Sequence, residues 1–319
     1  MSSRAPKYAL ELQAWLDANP EVSRTSLRQE DIGQLRETFV GNSIHSIIAG
    51  RNLESYELTV PGYLGAELTL TVIQPRGVAS LRPLIFNIHS GGMIAGDRFI
   101  GLETIAQWAD DFQVAATSIE YRLAPEFPDP YPIEDCYRAL IYVAENASEL
   151  GIDPKKIVVT GLSAGGGLSA GVALLARDRD GPELAGQMLI CPMLDERNDS
   201  RSGRQFVDIG LWDRGSNDVG WSALLGDRRH TPLVSIYASP AMNVDYSGLP
   251  PTFLDVGSHE IFRSEVLQYA ESIWLAGGDC ELHVWAGAFH GFDLAAPGAE
   301  ISKRAVSARG EWLRRVLDL

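Results

Sequence analysis

The chain of 319 residues is poor in cysteine, short of cations and free of long apolar runs. Its three cysteines, Cys136, Cys191 and Cys280, are odd in number and far apart. They form no C-x-x-C pair, so neither a disulfide framework nor a cysteine-held metal or redox site is expected. Each has apolar neighbours and reads as a buried structural thiol. No apolar run reaches the roughly 18 residues that a membrane span needs. The first twenty residues lack a continuous apolar stretch and a cleavage-site pattern, so a cytoplasmic protein without membrane attachment is expected. Lys and Arg number 27 against 42 Asp and Glu, a formal charge of −15. A surface this acidic repels phosphate backbones and anionic headgroups, which argues against a nucleic-acid partner. No H-E-x-x-H or His/Asp cluster occurs, so no metal or other cofactor is expected. Solenoid-length repeats and low-complexity tracts are absent as well.

What remains is an ordinary globular composition, with 45% hydrophobic residues to supply a core. Up to about residue 48, two short amphipathic helices are expected; Tyr8, Leu12, Trp15 and Leu16 mark one apolar face, and Asn19-Pro20 stops the first. Residues 56–60 and 67–73 alternate with period two, as half-exposed outer strands do. Then come largely apolar runs at Pro83 to Ile88, Val114 to Ile119, Lys156 to Thr160, Met188 to Cys191 and Thr252 to Val256. Between most of them lie helix-length segments, such as Pro132 to Leu150 and Ala164 to Arg179. Short buried strands alternating with helices predict an α/β fold with a parallel sheet covered on both faces. Residues 198 to about 236, polar and rich in Gly and Asp, break that rhythm and read as an insertion.

Gly-x-Ser-x-Gly marks a strand-to-helix turn that strains the serine and lifts its hydroxyl above the sheet. The same pentapeptide occurs twice, at Gly161-Leu162-Ser163-Ala164-Gly165 and at Gly167-Leu168-Ser169-Ala170-Gly171. The first follows a β-branched strand and precedes a long helix. The second begins inside that helix, where Ser169 is turned by roughly 240° from Ser163 and has no bend to expose it. Ser163 is therefore the candidate nucleophile, and Ser169 reads as a small residue at a close helix–sheet contact.

A serine nucleophile needs a base, and the base needs an orienting carboxylate. In this fold class they follow the serine in the order acid, base. His290, in a loop just beyond the final strand, is the candidate base. His230 lies in the insertion, His283 alternates within a strand, and His259 comes too early. Glu260, in the loop after residues 252–256, is the candidate acid; Asp195, at the end of the preceding strand, is the alternative. The glycine-rich loop His89-Ser90-Gly91-Gly92-Met93 follows a buried strand. The N–H groups of Gly91 and Gly92, with that of Ala164 from the elbow, can converge on one oxyanion; a plain tight turn would use the same residues. His89 reads as a brace for that loop.

With these residues placed, the chain resembles the hormone-sensitive-lipase-like family of esterases within the α/β hydrolases. His89-Ser90-Gly91-Gly92 resembles the family's His-Gly-Gly-Gly motif, and Tyr121-Arg122-Leu123-Ala124-Pro125-Glu126 matches a second signature, continued at Pro132-Ile133-Glu134-Asp135. Residues 161–166 resemble the Gly-Asp-Ser-Ala-Gly-Gly elbow, with Leu162 in place of its aspartate. Leu249-Pro250-Pro251, Glu260 and Phe289-His290-Gly291-Phe292 correspond in order and spacing; glutamate stands where aspartate is commoner. The resemblance implies an eight-stranded, mostly parallel sheet forming a catalytic core over 49–197 and 237–319. Residues 1–48 and the 198–236 insertion would then form a helical cap. It also implies hydrolysis of small to medium, short-acyl carboxylic esters by a Ser-His-Glu triad through an acyl-enzyme. Lactone opening at the same site, or a non-catalytic small-molecule receptor on this fold, are the alternatives. The partner expected is a small-molecule ester, and a homodimer would pair through the edge of the last strand.

Overall fold

A computed structural model describes residues 7–22, 26–77 and 80–319. The expectations for residues 1–6, 23–25, 78 and 79 fall outside the described residues. Three short helices come first, α1 (Leu10–Ala18), α2 (Ile32–Thr38) and α3 (Ile44–Ile47). The sheet is built from β1 (Leu53–Pro61), β2 (Glu67–Pro75), β3 (Arg82–Ile88), β4 (Ala115–Ile119), β5 (Ile152–Leu162), β6 (Gly186–Ile190), β7 (Thr252–Gly257) and β8 (Cys280–Trp285). Helices α4 (Leu102–Phe112), α5 (Tyr131–Glu145) and α6 (Ala164–Asp178) separate the middle strands. After β6 come α7 (Arg201–Gln205) and α8 (Arg214–Leu225); α9 (Arg263–Leu275) precedes β8, and α10 (Phe292–Ala295) and α11 (Glu300–Val316) end the chain.

The spatial order is β1-β2-β4-β3-β5-β6-β7-β8. β1 and β2 pair antiparallel, as do β2 and β4, whereas β3 to β8 run parallel. The inner parallel strands β4, β6 and β7 are buried along their whole length, which is why they read as largely apolar runs rather than alternating ones, whereas β8 at the edge is only partly buried. β2 differs from its alternating pattern. Thr71, Val72 and Ile73 are all buried, because β2 sits between β1 and β4 rather than at the margin.

Other boundaries shift for identifiable reasons. β5 starts at Ile152, where Arg82 pairs across an irregularity in the β3 register, and so takes in the polar residues Asp153 to Lys156 that hide its start. α5 stops at Glu145, five residues early, with the Asn146 amide donating to Tyr142 O (2.8 Å) at its end. Residues 198–236 contain no strand, as expected, but they are ordered into α7 and α8. Asp213 caps α8 by accepting from the N–H groups of Gly215 and Ser216 (3.2 and 2.9 Å). The same carboxylate accepts from Ser26 Oγ (2.5 Å), and Ser216 Oγ accepts from Leu27 N–H (3.0 Å). One buried aspartate thus joins the N-terminal segment to the insertion.

Glu265 on α9 is buried and accepts from Leu194 N–H (2.8 Å) in the loop that follows β6. Burial first, then the charges of Asp195 and Glu260, hold its carboxyl well above the ordinary carboxylate range. The folded chain therefore keeps a proton that the unfolded chain releases near pH 4.3, the ordinary value for glutamate (about 4.3). Above that pH, up to the raised folded value, a rise in pH favours unfolding. Glu265→Gln retains the acceptor without the charge. Its unfolding free energy relative to wild type should grow as pH rises from the ordinary carboxylate range, in urea melts across a pH series; a pH-independent difference would contradict this.

Candidate active site

Ser163 sits at the turn from β5 into α6 with φ 60° and ψ −119°, where non-glycine residues are rare. Its backbone is held from both sides. The N–H donates to Ile190 O (2.8 Å), and the carbonyl accepts from the N–H groups of Gly167 and Met193 (both 3.0 Å). The glycines around it leave no room for a side chain. A Cβ on Gly161 would lie 2.3 Å from Gly165 C, and one on Gly165 would lie 2.1 Å from Ile88 O. Ser169 has none of these features: it is buried within α6 and its hydroxyl donates back to Gly165 O (2.8 Å).

Only one of the histidines considered after the serine reaches Ser163. His290 Nε2 lies 2.9 Å from Ser163 Oγ, and His290 Nδ1 lies 3.0 Å from Glu260 Oε1. A proton on Nδ1 satisfies both contacts: Nδ1–H donates to the carboxylate and Nε2 accepts the serine hydroxyl. The other Glu260 oxygen accepts from Gly257 N–H (3.1 Å), and the Phe262 ring stands edge-on to the imidazole. Burial pushes the Glu260 carboxyl up, while the adjacent His290 and the Gly257 N–H pull it back down. The remaining histidines are engaged elsewhere. His230 faces Glu196, His259 bonds Ser258 Oγ, and His283 bonds Glu281 between the rings of Phe253 and Trp285. His89 bonds Ser90 O through Nδ1 (2.8 Å) and stacks on Tyr121. Asp195, the alternative acid, pairs with Arg197.

The glycine loop lies across from the serine. Gly91 and Gly92 adopt φ of 123° and 63°, and both line a cavity of about 380 Å³ together with Ser163 and His290. Gly92 also lets the Trp212 ring close over the loop, since a Cβ there would lie 2.5 Å from that ring. Among the described residues, no protein acceptor takes the amide hydrogens of Gly91, Gly92 or Ala164. Ala164 is the first residue of α6, where the helix dipole favours negative charge. The rest of the lining is mainly apolar and comes from both ends of the fold: Trp15, Leu35 and Phe39 from the N-terminal segment, Leu211 and Trp212 from the insertion, and Leu162 from the elbow. The Asp213 carboxylate borders the cavity but is occupied by Ser26, Ser216 and backbone N–H groups.

A model of the α/β hydrolase fold family matches residues 85–294. The chain belongs to that family. Its motifs put this α/β hydrolase in the hormone-sensitive-lipase-like branch. Carboxylesterase NlhH of Mycobacterium tuberculosis is 37% identical over 259 residues, which cover 77% of this chain and 79% of that one. A solved structure titled Bacterial Heroin Esterase superposes with a TM-score of 0.89 at 35% identity, covering 98% of both chains. Esterase LipW from Mycobacterium marinum superposes at 0.86 and 28% identity, covering 97% of this chain and 96% of that one.

Sequence reasoning missed a group behind this α/β-hydrolase site. Arg309 of α11, itself buried, donates from Nε to Asp255 Oδ2 (2.8 Å) and pairs with Asp293, three residues beyond His290. Trp285 Nε1 donates to the same Asp255 oxygen (3.0 Å). One guanidinium thus ties the strand before Glu260 to the short helix that follows His290. One arginine among the four of an amphipathic helix gives no signal of this. Replacing Arg309 with Met leaves the buried Asp255 and the partly buried Asp293 without their cation, and the loss should be about 3–5 kcal/mol. Urea unfolding at neutral pH measures it; a loss below roughly 1 kcal/mol, the scale of an exposed pair, would refute the role.

Proposed function

We propose that this protein is a carboxylic ester hydrolase working by acyl transfer, with Ser163 as nucleophile, His290 as base and Glu260 as the orienting acid. The observation that carries the reading is the unbroken hydrogen-bonded chain from Ser163 Oγ through His290 to Glu260, set on a strained elbow that faces the glycine loop. The names of similar proteins, carboxylesterase and esterase, agree with it.

His290 Nε2 removes the hydroxyl proton as Ser163 Oγ attacks the ester carbonyl. Glu260 stabilises the imidazolium that results and keeps the ring in the useful tautomer. The N–H groups of Gly91, Gly92 and Ala164 are donors for the developing oxyanion, which is where fixed dipoles act most strongly. His290 returns the proton to the departing alcohol. Water, activated by the same imidazole, then releases the acid from the serine. Residues 1–48 and 198–236 act as the cap over this chemistry, excluding bulk water and shaping the substrate pocket.

The lining supports an uncharged ester of small to medium size. Asp213 is the charged residue at its border, and that carboxylate is already saturated with donors. A charged acid or alcohol moiety would lose its hydration with no counter-ion to replace it.

Ser163→Ala should lower hydrolysis of a p-nitrophenyl short-acyl ester by roughly 10⁴-fold or more, and Glu260→Gln by roughly 10⁴-fold through the wrong tautomer. Both should fold as wild type does. A fluorophosphonate should label wild type at Ser163 and leave Ser163→Ala unlabelled. Unchanged turnover in the alanine variant, or no labelling of wild type, would overturn the reading; the latter would favour a non-catalytic receptor.

A further inference from the structure

Directly behind the Ser163–His290 pair lies a thiol that the proposed mechanism does not use. Cys191 follows the last residue of β6, in left-handed backbone (φ 35°), and its N–H donates to Asp255 O (2.8 Å). Cys191 Sγ, a Glu260 carboxylate oxygen and a His290 ring nitrogen all lie within 4.8 Å of one another, and all three residues are buried. Among the described residues no other group of three such side chains converges in this way.

We propose that Cys191, Glu260 and His290 form an inhibitory site for a soft divalent cation, Zn²⁺ or Cd²⁺. The inhibition rests on the reading of Ser163 and His290 as the reacting pair; the binding does not. Thiolate, imidazole and carboxylate are the donor set that favours such ions over Mg²⁺ or Ca²⁺. Tetrahedral bonds of about 2.0–2.3 Å separate ligand atoms by about 3.3–3.8 Å. The His290–Glu260 contact is already 3.0 Å, so the set closes around an ion with side-chain shifts on the order of 1 Å. The charges also balance: one carboxylate and one thiolate neutralise the dication, so no net charge is left in the buried site. Of the three ligands, His290 lines the cavity.

Binding stops the reaction through the tautomer. The ion takes the Nδ1 lone pair, and the ring proton moves from Nδ1 to Nε2. Nε2 is the nitrogen that accepts the Ser163 hydroxyl, so with a proton there it can no longer act as the base. The Cys191 S–H bond breaks as the S–metal bond forms, and that proton leaves to solvent. One proton is released for each ion bound, and no electron changes hands.

The test uses the full chain, CdCl₂ or ZnCl₂ in a non-chelating buffer, and a p-nitrophenyl short-acyl ester. Wild type should bind one Cd²⁺ per chain with an ultraviolet thiolate-to-cadmium charge-transfer band and lose hydrolysis in parallel. EDTA should restore the activity, and MgCl₂ and CaCl₂ should have no effect. Cys191→Ala, with Cys191→Ser as the size-conserving second variant, should keep the metal-free rate, lose the band and need at least about tenfold more metal for half-inhibition. Cys136 and Cys280 remain in both variants, which assigns the band. Inhibition of either variant at wild-type metal concentrations, or Cd²⁺ binding without a thiolate band, would overturn the inference. If the chain hydrolyses no ester, the proposed function fails, while the band and its loss in the variants still decide the site.

Discussion

Much of the molecule is arranged around one constraint, the left-handed backbone of Ser163. A non-glycine residue held there costs on the order of 1–3 kcal/mol and persists only where its surroundings over-determine it. Here the surroundings are the sheet itself. Ile190 at the end of β6 takes the serine N–H, and Met193, just past that strand, donates to the serine carbonyl. The glycines at 161 and 165 let β5, α6 and the end of β3 approach to distances that any Cβ would forbid. β3 then runs straight into the Gly91-Gly92 loop, so the contact that fixes the serine also fixes the loop opposite it.

The elbow sets one side of the site; a buried ion group sets the other. Glu260 and His290 follow different strands, β7 and β8, and a shift of about an ångström between them would break a 3.0 Å hydrogen bond. Arg309 prevents that shift by holding Asp255 on β7 and Asp293 in α10, just beyond His290. It comes from α11, so the geometry at Ser163 depends on a helix far along the chain from the elbow. A buried ion group is weak evidence for net stability. Its value here is geometric, since a guanidinium with two fixed carboxylate partners specifies a spacing that apolar side chains would leave loose.

This division explains what could be read from the sequence. The elbow is local: a β-branched strand, a glycine-flanked serine and a helix are contiguous, so Ser163 is separable from Ser169 without any structure. The sheet is legible for a similar reason, because burial on both faces writes itself as apolar runs at β4, β6 and β7. His290 and Glu260 were reachable through chain order, a rule of topology that spacing alone could not supply. Arg309, Trp212 and Asp213 were not reachable. Each acts on partners dozens to hundreds of residues away, Arg309 on Asp255, Trp212 on Gly92 and Asp213 on Ser26. A charged or aromatic residue in a polar stretch looks the same whether it faces solvent or closes a cavity. The start of β5 was hidden for a related reason, since Asp153 to Lys156 read as loop until Arg82 supplies a partner for Ile152.

Leu162 shows how a departure from a motif becomes intelligible once its surroundings are known. In the resembling family an aspartate stands there, a side chain able to accept hydrogen bonds at the elbow. In this protein the elbow backbone is already satisfied by Ile190, Met193 and Gly167, none of which needs a side chain at 162. Leu162 is instead part of the cavity wall, beside Leu211, Trp212 and Phe39. A carboxylate at that position would be desolvated within a mainly apolar lining unless it found a donor. Leucine adds apolar surface next to Ser163 at no such cost. The substitution therefore belongs with the saturated Asp213: both keep free charge away from the space where the ester would lie.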